Sequence, residues 1–565
     1  MKLHKLLLTG LPSGLLCLAC TATPPVAVAP EPLTSAAENP ESGLSAQAFM
    51  SGAVTLKLSE TAPTRPTLVT MTAKTPSSTK RVVFFQDDHE IATVRTAPYE
   101  IRVPFTRTER TAHQYSFRVY SRGGRVRSSA AVPLYVNIGR VLYVSPSGRE
   151  GNGGLSEADA LPTLQAAVSL SAPGDTVLAM DGTYTQSQYP SGAVANIRTS
   201  GTPDAWIALM NYPGQHPKVK SANWQGVKLD GAAYWIIQGL SIEGNRDHVT
   251  LAQALAAGND GDNPATSGEG VSVSMRYKEP GDTSAPIHSH HIVIRGNTIY
   301  KNCGGGIGSG QADHLTIEDN VIWGNAWYSP YANSGVSLYQ NWNSDQSTET
   351  KMIVRRNVVY DNRNLVPFLF SDPDPAKRVI TDGNGVIIDD SRNTQFGSQA
   401  GPYRGRTLVE NNVVYSNGAR GIHAFSSEHV DIINNTTYHN SFQKETPGGE
   451  ITAYDSGDVR VLNNLAVPLQ GRRAIDFYLL KGADPAAMSF ENNLTSGGLP
   501  LDIPASRNLI GADPRLTDPA SGDFRPAQGS PAIDAGNGGL YAQDDIGHVA
   551  RPLGRGIDIG AYEVR

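Results

Sequence analysis

The adjacent carboxyls Asp389-Asp390, with His423 about one repeat further on, form the sharpest constellation in the 565 residues. A carboxyl pair and an imidazole can divide proton donation and proton acceptance, and the phenol of Tyr339, one repeat earlier, could join them. Arg276, Arg392 and Arg420 are spaced to neutralise an anionic group on a ligand, and Tyr454 and Trp342 offer flat faces for a sugar ring. Tyr339, Asp389, Asp390 and His423 are therefore the candidate catalytic residues. Arg276, Arg392, Arg420, Tyr454 and Trp342 are the candidate substrate-binding residues.

Short strands must position these groups. Each begins with a glycine, or a residue in its place, before an aliphatic side chain: GVSVSMR at 270, GIGSGQ at 306, GVSLYQN at 335, GVIIDDS at 385, GIHAFSS at 421, EITAYDS at 450 and AIDFYLL at 474. Alternation turns Val271, Ile307, Val336, Val386, Ile422, Ile451 and Ile475 inward. Two outward columns remain. The first is Ser272, Gly308, Ser337, Ile387, His423, Thr452 and Asp476; the second is Ser274, Gly310, Tyr339, Asp389, Phe425, Tyr454 and Tyr478.

Behind each such strand comes a second phrase: IRGNTIYKN at 294, IEDNVIWGN at 317, VRRNVVYDN at 354, VENNVVYSN at 409, IINNTTYHN at 432, VLNNLAVPL at 461 and FENNLTSGG at 490. Its fourth residue is always asparagine, at 297, 320, 357, 412, 435, 464 and 493, and WIIQGLSIEGN (235–245) is an earlier copy with Leu240 in that slot. The shortest step, 23 residues, is about one turn of a parallel β-helix, so the longer steps carry loops over the rod. Inward asparagines would hydrogen-bond rung to rung and build the rod rather than do chemistry. The two longest loops hold AWYSPYANSG with QNWNSDQ, and FSDPDPAKRVITDGNGVIIDDSRN. Loops added to a rigid scaffold are where binding and catalysis concentrate.

At 140 the chain reads RVLYVSPSGREGNGGLSEADALPTLQAAVSLSAPGDTVLAMDGTYT, with one amphipathic helix expected over Leu161–Leu170. With the repeats that follow, this resembles the secreted right-handed parallel β-helix proteins of the pectate-lyase-like group, whose first rung is covered by a short helix. The resemblance implies an all-β solenoid active on polysaccharide, more as a lyase on an acidic, uronate-containing glycan than as a hydrolase. A non-catalytic glycan-binding or adhesive surface protein is the alternative.

Two precedents within that group can be compared residue by residue. Polygalacturonase-like hydrolases carry NTD, DD and GHG on successive rungs; here Asn343-Ser344-Asp345, Asp389-Asp390 and Gly421-Ile422-His423 follow in that order, the last motif incomplete and without a downstream Arg-Ile-Lys. Calcium-dependent pectate lyases use aspartates for the ion and a lysine as base. In the comparable stretch Gly383-Asn384-Gly385-Val386-Ile387-Ile388 the lysine slot holds Ile387, so a lyase would need Tyr339 or His423 as base. Calcium is possible, and Asp260 and Asp262 resemble a fragment of a calcium loop. The histidines 288, 290 and 291 alternate around Ser289 and could not all face one metal.

The rest of the chain sets the context. Residues 1–20, MKLHKLLLTGLPSGLLCLAC, have the layout of an export signal, with Cys20 placed for lipid attachment. Residues 21–50 are a Pro/Ala/Ser-rich linker, and 51–138 hold short alternating strands, resembling a bacterial immunoglobulin-like β-sandwich. The β-helix is expected over 139–510 and a C-terminal capping segment over 511–565, its aspartates (Asp534, Asp545, Asp558) acting in turns. A formal charge of −6 gives no global attraction to nucleic acid. The expected protein is exported, touches membrane only through a lipid anchor, is monomeric, and has polysaccharide as its partner. With Cys17 and Cys20 removed or lipidated, Cys303 alone cannot form an intramolecular disulfide.

Overall fold

The computed structural model describes residues 55–58, 67–87, 89–105, 113–124, 126–129, 132–134, 139–186, 192–277, 285–498, 503 and 507–564. The expected export signal, Cys20 and the whole linker of residues 21–50 lie outside these residues. Residues 55–134 make two antiparallel sheets. One joins Thr55–Leu58, Thr67–Lys74 and Glu100–Phe105; the other is built on Thr79–Gln86 and His113–Ser121. Met71 from the first sheet packs with Val82, Phe84, Tyr115 and Phe117 from the second in one apolar core, as alternating strands require.

From Val141 on, the described residues wind into a right-handed parallel β-helix of three sheets. Sheet 1 has eleven strands from Val141–Val144 to Ser489–Glu491, and sheet 2 has eleven from Thr183–Tyr184 to Leu509–Ile510. Sheet 3 has nine, from Ala193–Ile197 to Arg473–Leu479. Each turn gives one strand to each sheet, so neighbouring strands pair in parallel about 4.8 Å apart. The inward aliphatics Val271, Ile307, Val336, Val386, Ile422 and Ile451 are fully buried in a core that runs the length of the rod. Helix Leu164–Leu170 begins at Thr163, whose hydroxyl accepts the amide of Ala166, and places Leu164, Ala167 and Val168 over the first rung.

The repeated phrase marks two corners of the rod. Its second residue ends a sheet 1 strand, and the third takes a left-handed conformation, as at Asp319 (φ 57°), Arg356 (52°) and Asn411 (54°). The fourth-position asparagine then turns inward. Each such Nδ2 donates to the Oδ1 of the asparagine one rung on: Asn297 to Asn320, Asn320 to Asn357, Asn357 to Asn412, Asn412 to Asn435, Asn435 to Asn464 and Asn464 to Asn493, all within 2.9–3.0 Å. Leu240, lacking an amide side chain, starts the ladder by donating its backbone N–H to Asn297. The ninth-position asparagines form a second ladder, Asn302, Asn325, Asn362, Asn417 and Asn440, ended by both carboxylate oxygens of Glu450. Between the corners, Tyr300, Trp323, Tyr360 and Tyr415 stack on the outside of sheet 2.

The C-terminal segment does not simply close the end of the rod. It runs back along the corner between sheets 1 and 2, where Asn411 bonds Asp544, Asn434 bonds Ala542 and Asp558, and Asn463 bonds Asn537 and Leu540. Asp534, Asp545 and Asp558 accept backbone amides in this segment, the turn role expected of them. Buried Arg551 and Glu563 pair within it at 2.8 Å.

Candidate active-site groove

The outer face of sheet 3 carries the two columns in the anticipated register. Ser272 pairs with Gly308, Ser337, Ile387, His423, Thr452 and Asp476 in succession; Ser274 pairs with Gly310, Tyr339, Asp389, Phe425, Tyr454 and Tyr478. The columns differ in access. Ile387, His423 and Thr452 are buried although they point away from the core, whereas Tyr339, Asp389, Phe425 and Tyr454 are half-buried and Tyr478 is exposed. The second column is therefore the groove floor.

Inserted loops flank it. Before the strands come residues 246–268, 326–335 and 361–385, tied together by the Tyr331 hydroxyl donating to the Gly261 carbonyl, by Arg378 with Asn259, and by the Leu369 amide donating to Pro330. After the strands come 340–349 and 390–405, joined by Asn393 to Asn341 and by Asn343 to Pro402. Buried Lys351 pins this second pair: its ammonium reaches buried Asp313 (2.7 Å) and exposed Asp345 (2.9 Å), and Tyr403 donates to Asp313. Phe370 from the first group meets Phe396 from the second, ring centroids 5.7 Å apart.

Asp389 stands in this groove with one side-chain hydrogen bond, from Gln395 Nε2 at 3.1 Å. Burial raises its carboxyl to about 8, and the neighbouring carboxylate of Asp382 adds to the rise. Asp382, at the strand's entrance, accepts from Asn384 and Thr381 and is itself pushed upward by burial. The carboxylate that acts most on Asp389 is thus Asp382 rather than the adjacent Asp390. Asp390 is fully buried at φ 52°. Its oxygens accept from the Thr394 amide and hydroxyl, the Gln395 amide and Gln340 Nε2, so it organises a loop and cannot meet a ligand.

The other expected site residues divide in the same way. Tyr339 adjoins Asp389 in the column, and burial and the nearby carboxylates raise its phenol, which weakens it as a base at neutral pH. His423 is covered, its Nδ1 lies 2.6 Å from the Thr452 hydroxyl, and burial holds its pKa well below the usual imidazole range. Trp342 stacks on His288 at 4.2 Å and is packing rather than platform. Arg392 sits near Glu428 and Asp455, beyond the strand ends. Arg420 lies at the groove edge, donating to the Thr381 carbonyl and resting 5.7 Å over the Tyr454 ring. Tyr454 donates to Asp476 and stacks on Tyr478, centroids 4.6 Å apart, giving the floor an aromatic end. Arg276 lies further toward the N-terminal end. Asp382 was missed as a functional group because Asp-Gly-Asn-Gly reads as a turn; its position directly ahead of the Gly-aliphatic signal was the available clue.

For calcium the groove offers Asp382 and Asp389 with Asp390 already occupied by four donors, and no three of its ligand atoms converge. Among the described residues the one three-ligand group is Asp313, His314 and Asp345, where Lys351 already supplies the positive charge. The donor set at Asp389 does not fit a calcium site. His290 and His291 face each other, Nδ1 to Nδ1 at 2.7 Å, in a stack with Tyr234 and His314. Cys303 is buried, its thiol pushed up to about 12.

Residues 142–450, over half of the chain, match the family model described as Pel9A-like, right-handed β-helix region. Similar solved structures include pectate lyase Pel9A (16% identity, 76% of this chain and 97% of that one, TM-score 0.42). XylC in complex with xylose (12%, 75% and 98%, 0.36) and a Yersinia enterocolitica family 28 exopolygalacturonase (11%, 79% and 86%, 0.32) are others. No curated protein matches the chain.

Proposed function

Because this chain belongs to the Pel9A-like right-handed β-helix family, we propose that it is an exported enzyme that cleaves an acidic, uronate-containing polysaccharide laid along sheet 3. The observation that carries the reading is Asp389 on the open column, its carboxyl held near 8 by burial and by the carboxylate of Asp382 at the strand's entrance. In β-elimination the ionised Asp389 takes the proton α to the uronate carboxylate, the glycosidic C–O bond breaks as the double bond forms, and the departing oxygen gains a proton. A carboxylate whose pKa is raised toward the working pH is the stronger base for such a step. Arg420 is the cation beside the pair that can neutralise the uronate carboxylate, and Tyr454 with Tyr478 supplies a surface for the neighbouring ring. This reading replaces Tyr339 and His423 as bases.

Hydrolysis is the second reading, favoured by the pair itself, since two carboxyls can protonate a leaving group and activate water. The two readings part in their pH dependence. With Asp389 as base, the rate climbs as pH rises through about 8; with Asp389 as proton donor, it falls over the same range. The experiment is a pH series on pectate, alginate and glycosaminoglycans following absorbance near 232 nm, the region of an unsaturated uronate, alongside new reducing ends. Absorbance rising with alkaline pH supports elimination. Reducing ends without absorbance support hydrolysis, and silence in both overturns the enzyme. Export with lipid attachment at Cys20 belongs to the same proposal, and is checked by radiolabelled palmitate incorporation that Cys20→Ala removes.

A further inference from the structure

The strand Val386–Asp389 is four residues long, about 10 Å from end to end. The chain reaches it through the 361–385 loop at one end and leaves it through 390–405 at the other. Phe370 stands on the first loop and Phe396 on the second, and their rings meet edge to face, centroids 5.7 Å apart and planes at 62°. Gln395, the residue before Phe396, reaches Asp389 with its side chain, which puts this contact at the outward column of the strand. The loops therefore close over the outer face that carries Ile387 and Asp389. Ile387 points away from the core and is still only 4% exposed, so the strand is covered from its outer side.

Both rings are held out toward water to make the contact. Phe370 is 55% and Phe396 61% exposed, a placement that forgoes burial of apolar surface and that the core of the rod does not need. Phe370 sits on a loop closed on itself: the Phe368 amide donates to the Val379 carbonyl, the Ser371 hydroxyl to the Phe368 carbonyl, and the Val379 amide to the Ser371 hydroxyl. Tyr331 and Phe368 flank its ring. Phe396 follows a pinned neighbour. The Gln395 amide donates to Asp390, and the Gln395 carbonyl accepts from Gln340. Phe396 itself is left-handed at φ 48°, a conformation unfavourable to a bulky side chain. Buried Asp390, which no ligand can meet, thus holds the loop that carries the ring. Away from this contact the floor opens again: Tyr478, three strands on in the column of Asp389, is 51% exposed.

We propose that Phe370 and Phe396 form a roof across the groove at Asp389, so that a polysaccharide cannot be laid in from the side and reaches Asp389 only lengthwise, from the open end at Tyr478. A strand fed lengthwise presents its end first. The roof therefore selects chain ends over chain interiors. The inference deepens the proposed function and rests on Asp389 as the reacting group.

The first test needs no turnover. Full-length protein is treated with a water-soluble carbodiimide and glycine ethyl ester, and amide formation at Asp389 is followed by peptide mass spectrometry, with exposed Glu349 as internal standard. Asp389 should react severalfold faster in Phe370→Ala/Phe396→Gly than in wild type, and Glu349 equally in both. Equal rates at Asp389 would overturn the roof. Glycine suits the left-handed backbone at 396, so the double variant should keep its melting temperature; should it unfold, Phe396→Gly alone is labelled in its place. The second test follows viscosity against new chain ends as pectate or alginate is cut. Wild type should release short products from the outset with viscosity nearly kept, and the double variant should lose severalfold more viscosity per bond broken. Mixed internal fragments from wild type, or an unchanged pattern in the variant, would overturn lengthwise entry. Labelling as expected in a protein that cuts nothing would sink the catalytic reading and leave the roof standing. Cleavage with equal labelling would do the reverse.

Discussion

The corners of the rod and the outer face of sheet 3 are both rich in polar side chains, yet they are finished to different degrees. Along the corners the asparagine amides donate and accept from rung to rung, Asn302 Oδ1 at the start of the second ladder alone lacking a partner among the described ladder residues, and Asn357, Asn412, Asn435 and Asn464 are fully buried. On sheet 3, hydroxyls at Ser274 and Ser337 have no partner and Asp389 has one. Polar groups that complete one another hold a fold together. Asp389, left with one partner on the open column, is available to something else.

The largest expected effect falls on the incomplete side. Asp389→Asn should lower kcat by about 10²–10⁴-fold, the usual range for a proton-transfer group, with little change in melting temperature because the substitution disturbs one hydrogen bond. Asp390→Ala should show the converse, since it strips partners from Thr394, Gln395 and Gln340. A mutant pair in which Asp390 controls turnover and Asp389 controls stability would reverse the assignment.

The completed side breaks next. Asn412→Ala removes the acceptor of the Asn357 amide and side chain and the donor to Val354 and Asn435. With several buried groups left unpaired, the loss should be about 3–5 kcal/mol in denaturant unfolding. Ser337→Ala removes a buried hydroxyl as well, but one with no partner, and should raise stability by about 1 kcal/mol. Equal costs for the two would mean that the contrast between corner and groove is one of position only.

How much of this was legible in the sequence follows from the same contrast. The rod was readable because its physics is periodic: alternation fixed Val386 inward and Asp389 outward, and the spacing of Asn297, Asn320 and Asn357 gave the rungs. The second ladder, at the ninth position of the same phrase, was equally periodic and needed only the same count. Alternation also implied that Asp389 and Asp390 could not both face the groove, so treating them as a catalytic pair conflicted with the strand they sit on. His423 fails for a different reason. It lies in an outward column as expected, but loops without any period decide which outward residues stay open, and nothing in Gly421-Ile422-His423 tells what will cover it. Asp382 comes near Asp389 only through the path of the 361–385 loop.

The ladder end offers a subtler way to sharpen the comparison. Glu450 is the one carboxyl in either asparagine ladder; it is buried, and burial raises its pKa to about 8. A carboxyl with a raised folded-state pKa binds its proton more tightly in the fold than in the unfolded chain. Its relative contribution is therefore highest below the unfolded value near 4.5 and is lost as pH rises from there through about 8. Asp389 follows the same sign. Thermal melts from pH 5 to 9 should show the wild type losing stability toward the alkaline end, and Glu450→Gln should lose less of it. An unchanged slope in Glu450→Gln would mean that the two hydrogen bonds from Asn440 hold Glu450 ionised across the range.

The smallest effect is expected where the groove meets solvent. Tyr478 is half exposed, stacks on Tyr454 and accepts no core contact on its outer face. Tyr478→Ala should leave the melting temperature in place, because the ring shields little apolar surface from water. If the pair supports a sugar ring, the same substitution should raise KM by a few fold, in line with about 0.5–1.5 kcal/mol for an aromatic contact, with kcat held. Tyr454→Ala should cost more, since its hydroxyl also bonds Asp476 and its ring lies under Arg420. A kcat loss at Tyr478 comparable with that of Asp389→Asn would move the reacting ring to the C-terminal end of the groove. The carboxyl pair would then hold the substrate rather than act on it.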